Sequence, residues 1–179
     1  MRITTGRLRG RVITAPKSAK VRPMTDKVRG ALFDVIGNIS GNLVLDVYAG
    51  SGAVGIEALS RGARMVEAIE HDRLAAGRIE KTIKEFGLGF EYSLVVAAVE
   101  SWLGWPANTT TISRYDLIVA DPPYTQLKAE ILDRLGEFLS PGGVMVVSHS
   151  SRLTPPELES LKLVRTNRYG DSSLSFYIH

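Results

Sequence analysis

The chain has 179 residues, 44% of them apolar and 23% charged, and it contains no cysteine. The length suits one domain, and the composition is that of an ordinary globular chain rather than a disordered one. Disulfides, thiolate metal sites, iron–sulfur clusters and cysteine nucleophiles are excluded. No apolar run approaches the roughly 20 residues of a membrane span. The first residues have no apolar core of the signal-peptide kind, so a reducing, cytoplasmic setting is expected.

The net charge of +3 is unevenly spread. Residues 1–29 carry nine basic side chains against one acid, Asp26, whereas the rest carries 13 basic and 18 acidic residues. A segment of +8 on a body of −5 points to a polyanion partner. Arginine dominates the segment, and its fork suits phosphate. Arg7, Arg9, Arg11, Arg22, Lys27 and Arg29 are the candidate contacts.

In chain order, 2–5 and 11–14 are β-prone runs around Gly6 and Gly10 and predict a basic β-hairpin. Residues 15–21 read as a loop, broken by Pro16 and Ser18. Thr25 or Asp26 caps a helix to about Ile36, with Val28, Leu32, Val35 and Ile36 on one face and Gly37 as its stop. Residues 1–24 thus form an arm and 25–179 the main domain. Strands are predicted at 43–48, 65–70, 92–97, 116–120 and 144–149. Helices are predicted at 53–61, 72–86, 100–103 and 126–139, with a loop at 105–113. Runs 161–168 and 173–178 lack a helix between them and form a closing antiparallel hairpin. The alternation predicts an α/β fold: seven strands, mostly parallel with the last antiparallel, and helices on both faces.

Asp46-Val47-Tyr48-Ala49-Gly50-Ser51-Gly52-Ala53-Val54-Gly55 follows the first strand. Gly50, Gly52 and Gly55 satisfy G-x-G-x-x-G between a strand and a helix, and Glu70 ends the second strand. An acid there accepts from ribose hydroxyls. A pyrophosphate would sit on the helix N-terminus. Asp46, at the strand's carboxyl end, repels such a group but pairs with an ammonium. Together these features resemble the first two motifs of Rossmann-like methyltransferases, whose cofactor S-adenosylmethionine joins a ribose and adenine to a cationic sulfonium and an amino-acid end.

Asp121-Pro122-Pro123-Tyr124 follows the fourth strand. Two prolines stiffen the turn and remove two donors, leaving the Asp121 carboxylate and the Pro122 carbonyl as acceptors. Tyr124 adds a flat face for a base, worth roughly 1–3 kcal/mol. An exocyclic base amine is a poor nucleophile because its lone pair is delocalised. Two acceptors on its hydrogens favour the geometry of attack and stabilise the developing charge. The signature resembles that of amino-group methyltransferases.

With Ile3–Arg11, Arg22-Pro23-Met24-Thr25-Asp26-Lys27-Val28-Arg29 and Ile69-Glu70-His71-Asp72, these motifs resemble the RsmD family of 16S ribosomal RNA guanine-N2 methyltransferases, of the guanine-966 type. The resemblance implies S-adenosylmethionine as cofactor and small-subunit ribosomal RNA as partner, within an assembly particle. Asp46 and the turn of Gly50, Ser51 and Gly52 would hold the methionine end, and Tyr48 and Ala49 are further cofactor-binding candidates. Glu70 would take the ribose, and His71 would flank the adenine. Asp121, Pro122, Pro123 and Tyr124 would be catalytic, with Asp121 also facing the cofactor. One departure stands out: Val96-Ala97-Ala98-Val99 offers no acid or amide for the adenine, which leaves backbone near Ala98 or apolar packing. No metal site is expected, and the protein is expected to be a monomer. An adenine-N6 methyltransferase, a nicotinamide-dependent oxidoreductase and a non-catalytic RNA-binding factor are the competing readings. The sequence does not decide whether Arg152 and Arg168 touch RNA.

Overall fold

A computed structural model describes residues 1–14, 24–105 and 112–179. Arg22 and most of the expected loops at 15–21 and 105–113 lie outside the described residues.

Helix α1 (Asp26–Ile36) leads into strand β1 (Leu43–Val47), and alternation follows: α2 (Ala53–Ser60), β2 (Met65–Glu70), α3 (Arg73–Phe86), β3 (Tyr92–Val96), α4 (Val99–Leu103) and β4 (Tyr115–Ala120). Then come a single 3-10 turn (Tyr124–Gln126), α5 (Ala129–Gly136), β5 (Leu139–Ser150), β6 (Lys162–Tyr169) and β7 (Ser172–Ile178). The sheet order is β3-β2-β1-β4-β5-β7-β6. The first five strands are parallel, and β7 runs antiparallel to both β5 and β6. The expected closing hairpin is therefore present, with its second strand inserted against the sheet.

Near-continuous apolar strands split their side chains between two cores, as a sheet covered on both faces requires. Val44, Val66, Leu117 and Val146 pack with Leu32, Phe33, Ile56, Leu59 and Ile79 of α1–α3. Leu45, Val47, Ile69 and Ile118 pack on the other face with Trp102 of α4 and Leu132 and Leu135 of α5. Local signals set the helix ends. Thr25 accepts the Val28 N–H and Asp72 the Ala75 N–H, while Gly37 and Gly87 take positive φ at the C-termini.

The N-terminal segment departs from expectation. It forms one antiparallel bridge, Arg2 to Val12, rather than two strands. The reason lies in its donors: the N–H groups of Thr4 and Thr5 go to the Glu57 carboxylate on α2 instead of across the loop. Ile3, Leu8 and Ile13 enter the same core as α1–α3. At the bend, Arg7 N–H donates to the Ser60 carbonyl at the end of α2. Gly6 has φ +82, and a Cβ there would overlap that carbonyl, so only glycine fits. Among the described residues no helix is long and apolar enough to cross a membrane.

Candidate active site

The parallel strands end together at one edge of the sheet, where ligands bind in this architecture. Three carboxylates meet there: Asp46 on β1, Glu70 on β2 and Asp121 after β4. Asp46 is almost fully buried. One of its oxygens accepts the Gly55 N–H at 2.9 Å, tying strand to helix. Burial pushes its carboxyl up to about 8, and the nearby Asp121 and Glu70 carboxylates add to the rise. Asp121 is pushed up by burial to about 6, and a hydrogen bond from Ser148 opposes the rise.

Glu70 organises the glycine turn. Its carboxylate accepts the Gly50 N–H and the Asp72 N–H, each at 2.7 Å, and His71 Nδ1 lies 3.1 Å away. A carboxylate has about four lone-pair sites, so two backbone bonds leave capacity for hydroxyl donors. The glycines are there for space. A Cβ on Gly55 would stand 2.8 Å from both Tyr92 and Val66, so the third glycine lets α2 lie on the sheet. Gly50 and Gly52 take φ +57 and +73. Tyr48 adopts φ +63, rare for a bulky residue, and such strain concentrates at functional turns. Ser51 Oγ contacts Met1 Sδ at 3.3 Å, which brings the chain's first residue to the turn.

Beside the carboxylates is a cleft of about 90 Å³, lined by Tyr48, Ile69, His71, Ala97, Ala98 and Val99, with Glu100. Its walls are mainly apolar, and His71 is largely exposed. The sequence marked Tyr48, His71 and Ala98 here but not Ile69, Ala97, Val99 and Glu100. Ile69, directly before Glu70 on a buried strand, was the available signal.

Pro122 is buried and Tyr124 is 39% exposed. The Tyr124 hydroxyl pairs with Ser172 Oγ on β7 at 2.8 Å, which ties the ring to that strand. No sequence pattern pointed to Ser172. Among the described residues no group of His, Asp and Glu is placed to hold a metal ion.

The basic candidates separate. Arg29 is fully buried, with its guanidinium on Asp26, Glu57 and the Arg2 carbonyl, so it is a structural residue and not an RNA contact. Arg7 is half exposed and pairs with Glu91 at 2.6 Å. Arg11 lies 3.8 Å over the Phe86 ring and donates to the Glu85 carbonyl. Arg9 and Lys27 are exposed. Arg7 and Arg11 meet residues at or beyond the C-termini of α2 and α3, at the edge of the sheet opposite the carboxylates.

This sheet order and these motifs at its carboxyl edge define a Rossmann-like methyltransferase fold. Within that class the chain belongs to the RsmD-type family: the family model described as conserved hypothetical protein 95 matches residues 1–178. The Bacillus subtilis chain YlbH is 32% identical over 182 residues, covering 99% of this chain and 98% of its own length. Escherichia coli ribosomal RNA small subunit methyltransferase D is 34% identical over 125 residues, covering 69% of this chain and 60% of its own length. The solved E. coli chain yhhF superimposes with a TM-score of 0.84 at 28% identity, covering 99% of this chain and 96% of its own.

Proposed function

We propose that the protein transfers a methyl group from S-adenosylmethionine to the exocyclic N2 amine of a guanine in small-subunit ribosomal RNA, presented in an assembly particle. The observation that carries this is the convergence of Asp46, Glu70 and Asp121 at one strand edge with an apolar cleft beside them. Gathered carboxylates repel a pyrophosphate and favour a cation, which disfavours the nicotinamide reading. Asp46 faces the ammonium, the Gly50–Gly52 turn the methionine end, Glu70 the ribose hydroxyls and the cleft the adenine. Residues 96–99 offer no acid or amide, and the cleft's apolar walls together with Glu100 take that place.

S-adenosylmethionine supplies an electrophilic methyl on a sulfonium. The protein's own part is positional. Asp121 and the Pro122 carbonyl hold the amine's two hydrogens, and Tyr124, anchored on Ser172, stacks on the base and sets its plane. The proton leaves the amine after transfer, so no base of matched strength is needed beforehand. Labelled S-adenosylmethionine, offered with small subunits or 16S RNA from cells lacking the gene, should place label on one guanine N2. Label on adenine, or binding of NAD in place of S-adenosylmethionine by calorimetry, overturns the reading. The similarity to an rRNA methyltransferase from E. coli supports the RNA substrate over DNA.

A further inference from the structure

The basic bend of residues 6–11 faces away from the site, which raises the question of what holds the RNA beside the target base. Within β5 and the β6–β7 turn, register supplies an answer. Ala120 pairs with Val147, so β5 runs on past the level of Asp121 to end at Ser150. Ser150 pairs with Ser172, whose hydroxyl holds Tyr124. Strands lie about 5 Å apart, so the segment after Ser150 borders the tyrosine. That segment is locked in place: Ser151 N–H donates to the Asp171 carbonyl, Leu153 N–H to the Ser150 carbonyl and Arg152 N–H to Ser150 Oγ. Arg168, on the last turn-side stretch of β6, donates from its guanidinium to the Ser151 carbonyl at 2.8 Å. Arg152 is exposed, and Leu153, next to it, is 52% exposed. Asp171 is the one acid within the turn.

We infer that Arg152 and Arg168, with Leu153 beside Arg152, form the RNA-docking rim of the active site and grip the nucleotides flanking the target guanine. One guanidinium held on a rigid strand end, with an exposed second arginine beside it on an anchored backbone, suits phosphates of a single-stranded loop. A base in such a loop is already splayed, and its flanks expose their backbone. Leu153 offers apolar contact to a neighbouring base. This assignment rests on the proposed RNA substrate.

The double charge reversal Arg152→Glu/Arg168→Glu tests it, with filter binding to 16S RNA read apart from methyl transfer. RNA affinity should fall at least about tenfold, and the log–log salt slope should flatten by about 1.4 to 1.8, the share of two phosphate contacts. Affinity for S-adenosylmethionine and transfer at saturating RNA should stay within about twofold of wild type. The neutral pair Arg152→Gln/Arg168→Gln should give the same direction with a smaller loss, which guards against a folding defect in the reversal. An unchanged salt slope in both variants overturns the rim. A wild type that binds 16S RNA with this slope yet transfers no methyl group overturns the proposed reaction and leaves the rim standing.

Discussion

Asp46 ties strand to helix at the point where the proposed cofactor site lies. Its Gly55 bond is the kind of strand-to-helix tie that any aspartate before a turn can make. The site's charge adds a functional consequence. With its carboxyl raised to about 8, Asp46 is mainly protonated at pH 7. A protonated carboxyl gives little to an ammonium, so cation binding draws the value down and releases the proton. Affinity for S-adenosylmethionine should therefore rise with pH, up to about tenfold per unit below pH 8, and level off above it. Calorimetry in buffers of different ionisation enthalpy should show nearly one proton released at pH 7. Asp46→Asn should bind weakly and without that slope; a retained slope assigns it to another group. Asp121 behaves oppositely. Removing it in Asp121→Ala should cut transfer by about a hundredfold or more. Cofactor affinity should hold or improve slightly, because a carboxylate that raises Asp46 is gone. Collapse of cofactor binding in Asp121→Ala sinks the catalytic assignment. Both aspartates were legible in the sequence because their motifs fix them at strand ends. Ser172 was not, because its pairing with Tyr124 arises from strand order, which local pattern does not carry.

At the scale of elements, the N-terminal segment and the first two helices are held by one buried acid. Glu57 on α2 accepts from Thr4 N–H and Oγ1, Thr5 N–H, Arg61 Nε and Arg29 Nε. Burial alone would raise its carboxyl, but the Thr4 hydrogen bonds and the Arg61 and Arg29 cations carry it below the ordinary value. A lowered folded value stabilises the protein above the unfolded one, about pH 4.5, and that support is lost as pH falls through the folded value. Glu57→Ala leaves the buried Arg29 cation with the half-exposed Asp26 as its remaining acid and takes the acceptor from Thr4, Thr5 and Arg61, and should cost about 3 kcal/mol in urea unfolding. Its stability should also vary less with pH below 5 than wild type. An equal pH dependence places the acid sensitivity elsewhere. Here the sequence misled for a physical reason. Charge counts treat every arginine as solvated, yet a cation facing a lone acid on an otherwise apolar helix is drawn inward. Glu57 within Ala53–Ser60, a helix buried along its whole length, was the sign that Arg29 belonged to the interior.

Over the whole molecule, basic residues occupy both edges of the sheet. The fold class and strand alternation were legible because the parallel strands are nearly continuous apolar runs and α1, α3 and α5 are amphipathic. The direction of the arm was not, since it depends on where Glu57 and Ser60 capture the chain. Residues 1–14 follow α2, and an eight-residue helix is about 12 Å long, so their bend sits at least that far from the glycine turn. On the proposed docking, a short RNA with its base on Tyr124 would reach Arg152 and Arg168 but not Arg7 and Arg9. A folded ribosomal particle is large enough to touch both edges. Reversal of Arg7 and Arg9 should therefore leave binding of a short single-stranded fragment unchanged. With 16S RNA or the particle, it should flatten the log–log salt slope by up to about one unit for each phosphate no longer neutralised. Arg7 should contribute less than Arg9, because Glu91 already neutralises it. Reversal of Arg152 and Arg168 should weaken fragment and particle alike. If reversal at Arg7 and Arg9 weakens the fragment as strongly as the particle, the arm swings toward the site when RNA binds. If it weakens neither, the excess charge of the first 29 residues serves the fold through Glu57 and Glu91 rather than the substrate.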